Sequence, residues 1–189
     1  MYEIPAPMLA KAAAAVPDDA KKPMLYEPKW DGFRGLVAWD GETLEIGSRG
    51  AKPLTRYFPE LVEQLPRILP GPCLLDGEIV VAPGPAGAQR LDWEALSQRT
   101  HPAASRVAKL SAETPAMFIA FDLLAEGEED LQQHPFRERR ARLERMLAGR
   151  ARPRTPSSPG AGSPSSRARG STAWSPNRST TRTPPASAP

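Results

Sequence analysis

Lys29 stands in the segment Glu27-Pro28-Lys29-Trp30-Asp31-Gly32-Phe33-Arg34, whose residue types could turn an amine into a nucleophile. A lysine amine has an ordinary pKa of about 10.4, so it reacts near neutral pH only when it is desolvated or lies beside positive charge. A site for a metal-bound nucleotide triphosphate would supply that charge. Arg34 adds a fixed cation, Gly32 permits a backbone conformation closed to other residues, and Asp31 could orient the amine or cap a turn. An isolated Asp-Gly pair indicates only a hairpin turn, whereas the longer Lys-x-Asp-Gly-x-Arg pattern indicates covalent chemistry.

Short strands and helices in mixed order must position this lysine. Hydrophobic patterning and turn residues predict strands at 24–27, 35–39, 44–46, 74–81 and 116–124, with Asp31-Gly32 as a turn between the first two. Helices are predicted at 57–69, interrupted late by Pro66, and at 91–99, 103–110 and 136–147. The elements do not alternate as regular βαβ units, so the sequence favours an α+β fold with an antiparallel sheet.

Three further segments follow Lys29: Gly47-Ser48-Arg49-Gly50, Leu75-Asp76-Gly77-Glu78-Ile79-Val80, and Phe118-Ile119-Ala120-Phe121-Asp122-Leu123-Leu124. Taken singly, they are typical of a turn, a solvated bend and a core strand. In this order after Lys29 they resemble the motifs of the covalent nucleotidyltransferases, which include ATP-dependent DNA ligases, RNA ligases and mRNA capping enzymes. The flanks at 54–61 and 101–106 further resemble small bacterial DNA ligases of the ligase C type and the ligase module of ligase D.

The resemblance implies an ATP-grasp-like adenylation domain and three transfers at phosphorus. Lys29 would attack the α-phosphorus of ATP and expel pyrophosphate, with Mg²⁺ neutralising charge. AMP would then move to a DNA 5′-phosphate, and a 3′-hydroxyl would displace it to seal a nick in double-stranded DNA. The same chemistry in an RNA ligase or a capping guanylyltransferase, and a non-catalytic nucleic-acid-binding remnant, are the alternatives left open.

The same resemblance implies a role for each nucleotide-binding residue. Glu27 would lie near the adenine amino group, and Phe121 would stack on adenine. Arg34 and Glu78 would lie near the ribose, and Glu78 is also the candidate metal ligand. Arg49 would contact the nucleotide or DNA phosphates, while Asp31 and Gly32 would support the lysine.

The resemblance covers about residues 7–148. The family continues with a glutamate motif, a Lys-x-Lys segment and an OB-fold domain, but the last lysine here is Lys109 and the last acidic residue is Glu144. Each side chain that stabilises charge in a transition state commonly raises the reaction rate by a factor of about 10² to 10³. We therefore expect the 189-residue chain to seal nicks slowly or not at all.

Residues 151–189 differ in composition from the rest of the chain. They hold eight Pro, nine Ser and six Arg, with no acidic residue, Lys, Leu, Ile, Val or Met. We expect this tail to be disordered, because it cannot form a core, and to be family sequence read in a shifted frame of GC-rich DNA; a natural linker is the competing interpretation. The predicted organisation is an arm over 1–23 with a short Ala-rich helix, a partial adenylation domain over 24–150, and the tail.

Charge and cysteine content limit the remaining classes of function. The tail holds six of the 25 basic residues, which leaves 19 basic against 22 acidic residues before it, so the net charge of +3 is weak evidence for nucleic-acid binding. One cysteine, Cys73, cannot form an intramolecular disulfide or a Cys-based zinc site. We find neither a targeting segment nor an apolar run of membrane-spanning length, and we expect a cytoplasmic bacterial monomer without membrane partners.

The histidines and an arginine cluster receive no catalytic role. His101 and His134 each precede a proline, which predicts a place in loops. The helix at 136–147 is rich in arginine and also holds Glu138 and Glu144, so a solvated face is favoured over DNA contact. That cluster consists of Arg137, Arg139, Arg140, Arg142 and Arg145.

Overall fold

A five-stranded antiparallel sheet organises the part of the chain that the computed structural model describes, which is residues 2–8, 24–50, 52–85 and 88–150. The strands are β1 (Phe33–Trp39), β2 (Leu44–Ser48), β3 (Cys73–Val81), β4 (Ala116–Glu126) and β5 (Glu129–Asp130), and their order across the sheet is β2-β1-β3-β4-β5. The helices are a 3₁₀ turn at Thr55–Tyr57, α1 (Pro59–Ile68), α2 (Trp93–Ser97), α3 (Ala104–Glu113) and α4 (Phe136–Leu147).

The two faces of the sheet differ because side chains alternate along each strand. Val37, Leu75 and Leu123 point into the main core, where they are at most 1% exposed. On the opposite face Arg34 of β1 lies across from Glu78 of β3 in the antiparallel register. The sheet therefore carries a hydrophobic core on one side and charged side chains on the other.

Helices cover the core face of the sheet. Phe58, at the N-terminal end of α1, is fully buried, and Leu96 of α2 and Leu143 of α4 join the same cluster. The helix α1 continues through Pro66 and ends two residues later, at Ile68. Pro66 therefore lies in the last turn of the helix and does not interrupt it. Burying a side chain of this size is worth about 1.5–3 kcal/mol, so these contacts hold the helices on the sheet.

A buried ion pair ties α1 to the segment after α2. The guanidinium of Arg99, which is 0% exposed, donates to Glu60 at 2.8 Å and to the carbonyl oxygen of Tyr57 at 2.9 Å. Glu60 also accepts the backbone N–H of Ala116 at 2.8 Å, at the first residue of β4. Loss of one partner would leave a buried charge unpaired, so this cluster fixes how the helices meet the sheet.

Residues 2–8 lie against the sheet face that also carries the charged side chains. Tyr2 and Ile4 pack with Ala38, and the Tyr2 hydroxyl donates to the carbonyl oxygen of Gly127. A Cβ on Gly47 would lie 2.8 Å from Cγ2 of Ile4, so the close approach of this segment requires glycine there. This part of the predicted arm therefore packs against the sheet.

The structure confirms most predicted elements. The helix at 136–147 has the predicted bounds, and the strands at 35–39, 44–46, 74–81 and 116–124 lie within β1 to β4. The predicted strand at 24–27 is wrong, because none of its four residues belongs to a strand and all four are exposed. The two-residue strand β5 was not predicted, because Glu129 and Asp130 have no strand-like pattern.

Some predictions concern residues outside the described ranges. These are the Ala-rich helix of the arm and the tail at 151–189. Among the described residues, no helix has the length and apolar content needed to cross a bilayer.

Candidate active site

An open cleft of about 880 Å³ lies on the charged face of the sheet. The segment 27–34, the loop after β2, and side chains of β3 and β4 form its walls. All eight residues predicted for the site line this cleft: Glu27, Lys29, Asp31, Gly32, Arg34, Arg49, Glu78 and Phe121. The structure thus brings them together, while the role of each stays a prediction.

Lys29 enters the cleft from an extended connection just before β1. Its side chain is 91% exposed, and its Nζ atom lies 4.0 Å from Oδ1 of the exposed Asp31. An exposed pair at this distance contributes little to stability. The Lys29 amine is therefore accessible and solvated.

Gly32 is required by close packing. The backbone angle φ of Gly32 is not positive, so the expectation that this residue adopts a conformation closed to other residues is wrong. Among the described residues, the glycines with positive φ are Gly41, Gly84, Gly127 and Gly149. A Cβ at Gly32 would lie 2.3 Å from the carbonyl oxygen of Ile79 and 2.8 Å from Cγ of Glu78. Asp31-Gly32 is likewise no hairpin turn but a bend that leads into β1. The glycine allows the lysine segment to lie directly on β3.

Arg34 is held by an acid that the sequence analysis did not single out. Its guanidinium donates through Nε and Nη2 to the two carboxylate oxygens of Asp76, which is buried. The hydrogen bond with Asp76, the largest effect, raises the pKa of Arg34 although burial opposes it. Strand alternation was the available signal, because Asp76 lies two residues before Glu78 and shares its face.

Glu78 lies beside this pair in a partly desolvated position. Burial raises the pKa of the Glu78 carboxyl, while the charge of Arg34 and the backbone N–H of Gly32 act in the opposite direction. The Glu78 carboxyl is thus linked directly to the segment that carries Lys29. A carboxyl in this environment can accept a hydrogen bond from a hydroxyl or contribute one ligand to a cation.

Phe121 reaches the cleft because β4 contains a bulge. Asp76 pairs with Asp122 and Gly77 pairs with Ala120, so Phe121 is an extra residue between two paired positions. A bulge redirects a side chain relative to its neighbours, and it separates this ring from the core. The Cζ atom of Arg34 lies 4.7 Å from the ring centroid. The ring is therefore half-buried at the cleft, as a stacking platform would be.

Three arginines of α4 face the sheet, so the predicted solvated face is wrong for them. Arg139, Arg140 and Arg142 have side chains only 12%, 20% and 27% exposed. Arg139 donates to Asp122 at 2.7 Å, and Arg142 donates to Glu129 at 2.6 Å. Their helical spacing places them at the edge of the buried stripe, where acids of β4 and β5 pair with Arg139 and Arg142.

Arg140 connects α4 to the cleft itself. Its Nη1 donates to Oε1 of Glu27 and lies 3.3 Å from the carbonyl oxygen of Phe121, and its Nε donates to Glu144 at 2.9 Å. Arg140 was predicted to lie on a solvated face, and its contact with Glu27 could not be predicted locally because 113 residues separate the two.

Arg49 and the two histidines occupy loops. Arg49 is exposed at the cleft, in a loop closed by a hydrogen bond of 3.0 Å from the Lys52 N–H to the Ser48 hydroxyl. His101 accepts the N–H of Ala103 at 3.1 Å, and His134 lies in the turn before α4. The predicted loop positions of the histidines are confirmed, and neither lines the cleft.

The acidic residues at the cleft suit a cation that arrives with phosphates. Within the described ranges, no group of three or more His, Cys, Asp or Glu side chains could hold a metal ion. Magnesium commonly uses one or two carboxylates together with water and substrate phosphates, so a complete protein cage is not needed. Glu78 and Asp31 line the cleft and fit that partial role.

Comparison with protein families and curated proteins gives consistent matches. The family model described as ATP dependent DNA ligase domain matches residues 7–159, which extends past the predicted end of the resemblance near residue 148. DNA ligase C of Mycobacterium tuberculosis is 53% identical over 143 residues, which are 76% of this chain and 38% of that protein. DNA ligase C1 of Mycolicibacterium smegmatis is 56% identical over 137 residues, which are 72% of this chain and 39% of that protein. The chain thus spans less than half the length of these relatives.

A solved structure is similar to about two thirds of this chain. The mycobacterial DNA ligase D complexed with ATP and MES matches with a TM-score of 0.50 and 28% identity, over 66% of this chain and 36% of that chain. This similarity confirms the predicted α+β class with an antiparallel sheet.

Proposed function

Because this chain belongs to the family of ATP-dependent DNA ligase domains, we propose that it carries out the nucleotidyl transfer of a DNA ligase, using ATP and Mg²⁺ to join nicked double-stranded DNA. The observation that supports this proposal is the cleft in which the exposed Lys29 amine meets Glu27, Glu78 and Phe121. Action as a monomer in the bacterial cytoplasm is part of the same proposal.

In the first step Lys29 is the nucleophile. Its amine loses a proton to solvent, Nζ forms a bond to the α-phosphorus of ATP, and the bond to the bridging oxygen breaks to release pyrophosphate. The exposure of the side chain allows the amine to reach a nucleotide in the open cleft. Asp31, 4.0 Å from Nζ, orients the amine before attack.

The remaining cleft residues bind the nucleotide. Phe121 stacks on adenine, and Glu27 accepts a hydrogen bond from the 6-amino group. Arg34 is paired with Asp76, which holds its positive charge in a fixed position beside the Phe121 ring and the ribose. Glu78 accepts a hydrogen bond from a ribose hydroxyl, and its carboxyl is the ligand this chain offers to magnesium, which neutralises charge on the phosphates.

The later steps transfer AMP to DNA. The Lys29 nitrogen leaves as a protonated amine when a DNA 5′-phosphate attacks the phosphorus, and a 3′-hydroxyl then displaces AMP to close the nick. Arg49, exposed at the cleft, contacts the nucleotide or DNA phosphates during these steps.

Labelling with ATP tests this proposal. The chain is incubated with Mg²⁺ and either α-labelled or γ-labelled ATP, with Lys29→Ala as the test variant and Lys109→Ala as a control at a lysine paired on α3. We expect the α-label alone to become covalently bound to the wild type and to Lys109→Ala. Equal retention of label by Lys29→Ala would refute the assignment. Labelling by GTP in preference to ATP would favour a capping enzyme, and DNA binding without any label would favour a non-catalytic module.

A further inference from the structure

We propose that Arg140 is a positioning residue that fixes Glu27 and the Phe121 backbone at the cleft and thereby makes the cleft select a 6-amino purine over a 6-oxo purine. This inference rests on the proposed function, since it assigns the basis of nucleotide selection to the same site.

The geometry that supports it is one guanidinium in contact with both base-binding elements. Nη1 of Arg140 donates to Oε1 of Glu27 and lies 3.3 Å from the carbonyl oxygen of Phe121. Its Nε donates to Glu144 at 2.9 Å, one turn along α4. With a side chain only 20% exposed, Arg140 is held in place by its own helix and by both partners.

The segment that carries Glu27 lies outside the regular secondary structure. Residues 24–30 form no helix or strand. Leu25 is 57% exposed, so its side chain is not packed into the core. A charge-assisted hydrogen bond from Arg140, which lies on a helix, therefore contributes to the position of the Glu27 carboxylate.

Selection between purines follows from the chemistry of a carboxylate. An ionised carboxylate only accepts hydrogen bonds, so the oxygen not bonded to Arg140, Oε2, matches the 6-amino group of adenine. The 6-oxo group of guanine is also an acceptor and would be repelled by the same oxygen. The preference holds only while Glu27 keeps its position, because a carboxylate that rotates away neither binds adenine nor rejects guanine.

A guanidinium suits this role better than an amine. Its planar fork donates in several fixed directions, so Arg140 can contact Glu27, Phe121 and Glu144 at once. Lysine would retain the charge but would lose the arrangement of these contacts.

Hydrogen exchange tests the positioning effect without nucleotide. We expect Arg140→Ala to raise amide exchange in residues 24–32 relative to the wild type. Arg142→Ala, which removes a partner of Glu129 on the same helix and away from the cleft, should leave exchange in that segment unchanged. Equal exchange in the wild type and Arg140→Ala would overturn the inference. Circular dichroism is used to check that each variant folds. If Arg140→Ala does not fold, Arg140→Lys is compared with the wild type instead.

Competition between ATP and GTP tests the effect on selection. We expect Arg140→Ala to lower the preference for ATP about tenfold, chiefly by weakening ATP binding, with Arg140→Lys intermediate and Arg142→Ala unchanged. Added guanidinium at non-denaturing concentration should restore part of the preference to Arg140→Ala only.

The outcomes separate this inference from the function on which it rests. A wild-type preference for ATP that persists in Arg140→Ala, without rescue by guanidinium, would overturn the inference alone. A wild-type chain that binds neither nucleotide would overturn both the proposed function and the inference.

Discussion

Gly32 lies against β3 so closely that a methyl group on its Cα would come within 2.3 Å of the carbonyl oxygen of Ile79. This contact is what brings the Lys29 segment onto the sheet face that carries Glu78. The position of the Lys29 segment is therefore set by the packing of its backbone against a neighbouring strand rather than by a turn conformation.

Substitution Gly32→Ala should both destabilise the protein and weaken nucleotide binding. The added methyl group must displace backbone or the Glu78 side chain, and overpacking of this kind costs about 1–3 kcal/mol. Gly71→Ala is the matched control, because a Cβ there meets no atom within 4 Å and Gly71 does not line the cleft. Urea unfolding and ATP titration measure the two effects, and a Gly32→Ala variant that behaves like Gly71→Ala would contradict this explanation.

Asp76→Asn should destabilise the sheet face at Arg34. The variant leaves the guanidinium partly buried without its anionic partner, and because the Arg34 side chain is 29% exposed we expect about 1–3 kcal/mol rather than the full cost of a deeply buried pair. Asp31→Asn, at an acid whose side chain is 71% exposed, should change the free energy of unfolding by less than about 0.5 kcal/mol. Similar losses in the two variants would contradict the assignment of Asp76 as the partner that holds Arg34.

Glu78→Gln should stabilise the protein at neutral pH while it weakens ATP binding. Burial raises the pKa of Glu78 in the folded state, so ionisation of this carboxyl opposes folding once the pH exceeds the raised value. Glutamine removes that penalty, and the difference from the wild type should vanish as the pH falls below the ordinary glutamate pKa of about 4.3.

Glu129→Gln is a control that should change the free energy of unfolding at neutral pH in the opposite direction, lowering it. A hydrogen bond from Arg142 lowers the pKa of Glu129, so its contribution to stability is present at neutral pH and is lost as the pH falls through that lowered value. Unfolding curves at several pH values compare the two variants. If Glu78→Gln is less stable than the wild type at neutral pH, burial does not dominate at Glu78.

The thiol of Cys73 should be unreactive until the domain unfolds. It is fully buried, and burial raises its pKa to about 12, so only about one thiol in ten thousand is ionised at pH 8. We expect one equivalent of thiol to react with a chromogenic disulfide in denaturant and reaction at least about a hundredfold slower without denaturant. Rapid reaction of the native protein would show that the end of β3 is open.

The sequence predicted those features that depend on local pattern. The charged amphipathic pattern with Leu143 and Leu147 on one side, and Gly149 after it, indicated the helix at 136–147, and apolar runs indicated the strands around Leu36, Leu75 and Leu123. Lys29 and Phe121, which the resemblance assigned to one site, both line the cleft, while their roles stay predictions.

Features that depend on register and distant contacts could not be predicted in this way. The Arg34–Asp76 pair spans 42 residues and follows from how β1 aligns with β3, and the Arg140–Glu27 pair spans 113 residues. The bulge at Phe121 exists only relative to the pairing of β4 with β3. Local patterning likewise predicted a strand at 24–27, but a strand forms only where a partner offers its edge.

Mass mapping of the adenylated residue tests the central claim most directly. The wild-type chain is incubated with ATP and Mg²⁺ for an extended period, digested under conditions that preserve an acid-labile phosphorus–nitrogen bond, and its peptides are examined for the mass of one added AMP. The account predicts that AMP is found on the peptide that contains Lys29, that acid releases it, and that Lys29→Ala carries none. AMP attached to another lysine of the wild type, or retained by Lys29→Ala, would contradict it.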